Sequence, residues 1–113
     1  TPDGTAIRDY IHVVDLAQAH VTALKKLLEN GQATNFDFYN VGTGKGSSVL
    51  EVINGFENVK GKKLNYKIVD KREGDVVQAF ADTTKANNVL GWKAERTLEQ
   101  ALLSAWNWEQ KQL

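Results

Sequence analysis

The chain has 113 residues, of which 42% are hydrophobic and 25% charged, a composition typical of one soluble globular domain. Fourteen Lys plus Arg balance fourteen Asp plus Glu, which excludes the strongly basic field of a protein that gathers nucleic acid or anionic membrane. The absence of cysteine excludes disulfides and thiolate-bound metals. His12 and His20 do not have a metal-binding spacing with carboxylates, so we predict no metal ligands.

The sequence shows no feature of a membrane-spanning or secreted protein. No apolar run approaches the roughly 20 residues of a membrane helix, and residues 1–5 lack the features of a signal peptide. We therefore expect a soluble protein, and the absence of cysteine indicates the reducing cytoplasm. The sequence contains no methionine and opens on a Pro-Asp-Gly turn, which either removal of the initiator before Thr1 or a segment cut from a longer protein would explain.

The first half of the chain predicts extended segments alternating with helices. Residues 6–14 are apolar and β-branched enough to predict a short extended segment, and residues 15–29 have helical spacing closed by Asn30-Gly31. The predicted apolar face of that helix comprises Leu16, Ala19, Ala23, Leu24, Leu27 and Leu28. Residues 36–41 predict a strand. Ser48 and Glu51 form a capping box that begins a second helix.

The second half repeats this alternation. Residues 64–70 predict a half-buried strand and residues 76–81 a further extended segment, with a charged turn between them. Asp82 is placed to cap a helix that runs into Gly91, and Thr97 with Gln100 forms another capping box. The inward side of the last helix is predicted to contain Leu98, Ala101, Leu102, Ala105 and Trp106. The fold class is mixed α/β.

The glycine-rich segment 42–46 imitates a dinucleotide-binding loop, because it follows a predicted strand and precedes a helix. Its spacing is G-x-G-x-G instead of G-x-G-x-x-G, and Lys45 precedes Gly46, which also fails the P-loop pattern. We interpret it as a tight turn and assign no cofactor-binding residues to it.

Arginines on two segments are candidate anion ligands. A guanidinium such as that of Arg72 can bind phosphate oxygens through two parallel hydrogen bonds, and a carboxylate such as Asp75 can accept from sugar hydroxyls. Arg8 together with Arg72 would match a pyrophosphate. A solvated charged turn and a surface ion pair are the alternatives that the residues alone leave open.

Six motifs resemble, in order, the C-terminal third of UDP-glucose 4-epimerases, which belong to the extended short-chain dehydrogenase/reductase superfamily. Related dehydratases and decarboxylases share the first motif, whereas the later ones narrow the resemblance to the 4-epimerases. The motifs are residues 8–17 (RDYIHVVDLA), Tyr39-Asn40-Val41-Gly42, Gly46-x-Ser48-Val49, Arg72-Glu73-Gly74-Asp75, Ala81-Asp82 and Leu90-Gly91-Trp92.

This resemblance implies roles for individual residues. Arg8 and Arg72 would hold the UDP pyrophosphate, Asp75 would accept from the uridine ribose, and Glu73 and Gly74 would complete the binding turn. The family commonly has a second arginine directly before Arg72, where this chain has a lysine.

The resemblance also suggests a feature of the hexose pocket. Ala79 stands where some relatives carry a bulky residue, and the resemblance implies that its methyl side chain would leave room for an N-acetyl group. UDP-N-acetylhexosamines are therefore possible substrates beside UDP-glucose and UDP-galactose.

The chemistry implied by the resemblance belongs to an isomerase of galactose metabolism that uses NAD. The hexose is oxidised at carbon 4 by hydride transfer to NAD, rotates, and receives the hydride on its other face, with a Tyr-x-x-x-Lys tyrosine as base. This chain has no such motif, so we assign no catalytic residue and expect the fragment alone to bind no NAD and to be inactive.

The resemblance implies a place in a larger protein. Residues 1–113 would be the UDP-sugar-binding C-terminal lobe of a two-domain chain whose N-terminal, NAD-binding Rossmann domain is absent, and the parent would be a homodimer. The alternatives are a lobe of a related UDP-sugar dehydratase, decarboxylase or glucuronate epimerase, and a non-catalytic α/β binding module.

Overall fold

The computed structural model describes residues 1–29 and 36–112. It contains two short strands, β1 (Ile7–Arg8) and β2 (Ser47–Ser48), and three α-helices, α1 (Val13–Leu28), α2 (Val49–Lys60) and α3 (Leu98–Gln112). A π-helical turn at Ala86–Leu90 lies between α2 and α3. The mixed α/β class predicted from the sequence is therefore confirmed.

Strand β1 lies between two neighbours. On one side it pairs antiparallel with β2, with Ile7 opposite Ser48 and Arg8 opposite Ser47. On the other side Ile7 forms a parallel bridge with Gln78. The predicted extended segments 6–14 and 76–81 are thus confirmed only around these bridges, and β1 joins the start of α2 to the segment that follows the charged turn.

Helix α1 begins two residues earlier than predicted. The buried ring of His12 caps it, with Nδ1 accepting a hydrogen bond from Val14 N at 3.0 Å. Ala19 is buried, but Leu24 and Leu28 are 54% and 72% exposed, so the predicted inward face is correct only in the first half of the helix. The predicted Asn30-Gly31 terminus lies outside the described residues.

Both predicted capping boxes are confirmed. At α2, Glu51 N donates to Ser48 Oγ and Ser48 N donates to Glu51 Oε1, each at 3.1 Å. At α3, Gln100 N donates to Thr97 Oγ1 at 3.1 Å, and Thr97 N donates to Gln100 Oε1 at 2.8 Å. Each box satisfies amide groups that the first helical turn leaves without intrahelical partners.

Helices α2 and α3 pack against each other. Gly55 is buried in α2, and a Cβ atom there would lie 3.2 Å from Leu102 Cδ1, so a small residue permits the close approach. The rings of Phe56 and Trp106 meet edge to face with centroids 5.4 Å apart. The prediction that Ala105 lies inward is wrong, because this residue is exposed.

The strands predicted at 36–41 and 64–70 do not form within the described part of the chain. Their apolar side chains are largely exposed: Phe38 is 68% and Ile68 62% exposed. A strand needs a hydrogen-bonding neighbour, and alternating apolar residues do not supply one.

A small core forms around Asp15, whose side chain is fully buried. It comprises Ala19 of α1, Ala86 of the π-helical turn and Trp92. Trp92 Nε1 donates to the Asp15 carbonyl at 3.0 Å. The Asp15 carboxylate accepts from Arg96 Nη1 at 2.6 Å and from the Arg96 amide at 2.9 Å. Burial opposes the charge of Asp15, but these hydrogen bonds outweigh it and lower the pKa of the carboxyl.

We expect Asp15→Asn to lower the free energy of unfolding by about 2–3 kcal/mol, because it removes the charge that pairs with Arg96 from a fully buried position. Denaturant unfolding measures the change. Glu109→Gln, which removes one exposed carboxylate near the end of α3, serves as the control and should change the free energy by less than about 0.5 kcal/mol.

The contribution of Asp15 also has a defined pH dependence. Its pKa is below the ordinary 3.8 in the folded chain, so the stabilisation is present above pH 3.8 and is lost as the pH falls through the folded-state pKa. The stability difference between wild type and Asp15→Asn should therefore narrow below about pH 4. A difference that stays constant from pH 7 to pH 3 would contradict this account.

Candidate functional site

The charged turn at residues 72–75 is closed by its own backbone. Asp75 N donates to the Arg72 carbonyl at 3.2 Å, and Gly74 has a φ of +85°, a geometry typical of a type II turn with glycine at its third position. The Arg72 guanidinium donates to both oxygens of Asp75, at 2.9 and 3.2 Å. These bonds lower the pKa of Asp75 and raise that of Arg72.

Arg8 is half-buried and reaches across to the segment that follows this turn. Its Nη2 donates to the carbonyl of Val76 at 2.9 Å, and its Nη1 donates to the carbonyl of Ile7 at 2.7 Å. Two backbone carbonyls therefore fix the guanidinium at the junction of β1 and the turn.

Arg8, Arg72 and Asp75 line one cavity of about 680 Å³. This volume lies within the usual range for sites that hold small molecules. Apolar side chains of α2 and of residues 66–69 also line the cavity. The remaining lining residues are Thr1, Gly4, Thr5, Ala6, Tyr10, Val49, Leu50, Ile53, Tyr66, Lys67, Ile68, Val69, Asp70, Lys71, Val76 and Val77.

The cavity has a positive balance of charge. Four basic side chains line it, against the two carboxylates of Asp70 and Asp75. The pKa of Asp75 is lowered chiefly by the hydrogen bond from Arg72, and the fields of Arg8 and Lys71 act in the same direction. Such an arrangement suits an anionic ligand that also offers hydroxyl donors.

Three of the predicted site residues do not line this cavity. Glu73 and Gly74 lie exposed at the corner of the turn, where Gly74 shapes the backbone. Ala79 is exposed, and its amide donates to the Ile7 carbonyl at 3.0 Å beside β1. The structure thus brings together Arg8, Arg72 and Asp75.

Asp9 is a feature that sequence reasoning missed. Its carboxylate accepts hydrogen bonds from the Thr43 and Gly44 amides of the glycine-rich turn and from the Ala81 amide. Burial opposes its charge, yet these bonds lower the pKa of the carboxyl. Its position directly after Arg8, in the first motif, is the sequence feature that could have identified it.

Among the described residues, no cluster of three or more His, Asp or Glu side chains can hold a metal ion.

Comparison with known proteins places the chain in a family. A family profile described as GDP-mannose 4,6 dehydratase matches residues 1–104. The chain belongs to this family. Its predicted place among the extended short-chain dehydrogenases is thereby confirmed.

Among individual proteins, the chain is similar to UDP-glucose 4-epimerases. The chain is 51% identical over 109 residues to the UDP-glucose 4-epimerase of Bacillus subtilis (strain 168) and 52% identical over 109 residues to that of Drosophila melanogaster. Each alignment covers 96% of this chain and 31% of the relative. The chain thus spans about a third of the length of the curated relatives it matches.

A solved structure is similar in fold as well. It is the UDP-glucose-4-epimerase of Stenotrophomonas maltophila with bound NAD and formylated UDP-arabinopyranose. The two share 43% identity with a TM-score of 0.91, over 99% of this chain and 32% of that one.

Within the described residues, no helix has the length and apolar character needed to cross a membrane.

Gly42 permits the close approach of Asp9 to the glycine-rich turn. A Cβ atom at this position would lie 2.5 Å from Asp9 Oδ2 and 2.9 Å from Ala81 Cβ. We therefore expect Gly42→Ala to destabilise the fold by about 1–3 kcal/mol through overpacking. Thermal unfolding measures this, with the exposed Lys45→Ala as control. Equal melting temperatures for Gly42→Ala and wild type would show that the contact is not tight.

Proposed function

We propose that this chain forms the UDP-binding part of an NAD-dependent UDP-glucose 4-epimerase that interconverts UDP-glucose and UDP-galactose. The observation that carries the proposal is the shared cavity of Arg8, Arg72 and Asp75, which come from segments more than 60 residues apart. The similarity to named UDP-glucose 4-epimerases supports the same assignment.

The pyrophosphate of UDP is the group that suits the two arginines. Each phosphate carries a negative charge, and a guanidinium can donate two parallel hydrogen bonds to its oxygens. Arg8 is held by backbone carbonyls, whereas the Arg72 side chain is 84% exposed and paired with Asp75, a surface ion pair that a ligand phosphate can replace. Lys71 would add charge without a planar pair of donors.

Asp75 would accept hydrogen bonds from the ribose hydroxyls. The carboxyl is ionised at neutral pH, since the hydrogen bond from Arg72 holds its pKa below the ordinary 3.8, and both oxygens of the ionised form accept hydrogen bonds. In this proposal Gly74 gives the turn its shape, and Glu73 belongs to the binding turn through its backbone and contributes no cavity wall.

Binding through the UDP group would let one site accept both UDP-glucose and UDP-galactose. NAD, when bound by the rest of the parent protein, supplies reversible hydride transfer at carbon 4 of the hexose. In this proposal the residues of this chain bind the UDP group, so the hexose can rotate while the substrate stays bound to the protein.

We extend the proposal to an N-terminal NAD-binding domain that would complete the enzyme, with residues 1–113 as its C-terminal UDP-sugar-binding lobe. Support comes from the apolar side chains that α1 leaves exposed, including Val21, Leu24 and Leu28. Their spacing of three and four residues places them on one side of the helix, and exposed apolar surface of this kind is typical of an interface with another domain. The homodimeric state of the parent and the inactivity of the isolated chain remain predictions.

The decisive experiment for the proposed reaction is incubation of the full-length protein with UDP-galactose and NAD. We expect UDP-glucose as the product, detected by chromatography. Conversion of UDP-glucuronate with no conversion of UDP-galactose would favour a glucuronate epimerase or decarboxylase, and UDP binding without any turnover would favour a non-catalytic binding module. Turnover of UDP-N-acetylglucosamine in the same assay tests the prediction made from Ala79, which lies beside β1 and outside the cavity lined by Arg8, Arg72 and Asp75.

The arginines provide the sharper test of the site. In the full-length protein, we expect Arg8→Ala and Arg72→Ala each to weaken UDP binding by about 10- to 100-fold, the usual effect of removing a hydrogen bond to a charged group. Isothermal titration with UDP measures the affinity.

The matched controls are Arg8→Lys and Arg72→Lys, which keep the charge but not the planar pair of donors. We expect affinities between those of the alanine variants and wild type. Unchanged UDP affinity in both alanine variants would contradict the pyrophosphate assignment.

A further inference from the structure

Asp9 connects three segments that are distant in sequence. Thr43 donates to Asp9 Oδ1 through its amide at 2.9 Å and through Oγ1 at 2.7 Å. The amides of Gly44 and Ala81 donate to Oδ2 at 3.0 and 3.2 Å. Both carboxylate oxygens are thus engaged by fixed donors, three of which are backbone amides.

The packing around Asp9 leaves its side chain little freedom. Gly42 is buried directly against the carboxylate, and there is no room for a Cβ atom between Asp9 Oδ2 and Ala81. A carboxylate fixed in this way holds the backbone segments around it in one arrangement.

The carboxylate also extends a backbone ladder. Ile7 N donates to the Val77 carbonyl and Ala79 N donates to the Ile7 carbonyl, both at 3.0 Å. The next donor in this series, Ala81 N, meets Asp9 Oδ2. The side chain therefore continues the register between β1 and the segment after the charged turn, where the parallel bridge ends.

Arg8 lies within this ladder. Its guanidinium donates to the Val76 carbonyl, one residue beyond Asp75. The register that Asp9 fixes therefore sets where the Arg8 guanidinium stands relative to Asp75 and Arg72.

We propose that Asp9 is a positioning residue for UDP binding, which acts by holding Arg8 in place beside the turn at residues 72–75. The inference rests on the proposed function of Arg8. Asp9 does not line the cavity, so its effect on a ligand passes through other residues.

The test is Asp9→Asn in the full-length protein. The amide group replaces one acceptor oxygen with donors that face the backbone amides of the glycine-rich turn or of Ala81. We expect UDP binding to weaken about tenfold, as for the loss of one charged hydrogen bond. Asp82→Asn is the matched control, because Asp82 accepts only from Thr84 among the hydrogen bonds described, and should leave UDP affinity unchanged.

A double-mutant cycle separates positioning from a general structural effect. If Asp9 acts through Arg8, Asp9→Asn should weaken UDP binding by less than about twofold in the Arg8→Ala background. A full tenfold loss in that background would overturn the inference while leaving the proposed function standing. No effect of Arg8→Ala itself would overturn the inference, and the proposed function would fall only if Arg72→Ala also left UDP affinity unchanged.

Thr43→Val provides a second route should Asp9→Asn fail to fold. It removes the hydroxyl, which donates to Asp9 Oδ1 at 2.7 Å and also accepts from Lys45 N at 3.1 Å, and it keeps the amide donor. We expect UDP binding to weaken about threefold in the otherwise wild-type protein and to be unchanged in the Arg8→Ala background. Equal losses in the two backgrounds would overturn the inference.

Discussion

The two-sided pairing of Ile7 is the interaction on which the rest of the structure depends. Its backbone pairs with β2 on one side and bridges to Gln78 on the other. Strand β2 leads directly into α2 through the Ser48 cap, and Gln78 follows the charged turn. A two-residue strand thereby joins the helical pair α2 and α3 to the segment that carries the candidate anion site.

Local interactions were the part of the fold that the sequence could predict. The capping boxes at Ser48 and Thr97 involve residues three apart, so their geometry follows from the helix itself. The strands at 36–41 and 64–70 were predicted wrongly, because a strand is defined by a partner that a local pattern does not contain. The start of α1 was also missed, since the cap is the ring of His12 and not one of the usual capping side chains.

The candidate site was predictable by residue type and only partly by position. Arg8, Arg72 and Asp75 have the chemistry for a phosphate and a sugar hydroxyl, but only the fold brings them to one cavity. Glu73 was included because it belongs to the same motif, yet a glycine at +85° directs the corner of the turn to solvent. Asp9 escaped notice because its role depends on amides 34 to 72 residues away.

The two arginines of the proposed site are held in different ways. The difference suits a UDP group that must bind and later dissociate. Arg8 donates to backbone carbonyls within the ladder that Asp9 extends, so its position is set by the fold. Arg72 pairs with Asp75 at the surface, where an ion pair contributes little stability and is easily exchanged for a ligand phosphate. Under the proposed function, one fixed guanidinium would set the register of the pyrophosphate. Arg72 would turn from Asp75 to the pyrophosphate. Asp75 would then be available to accept hydrogen bonds from the ribose.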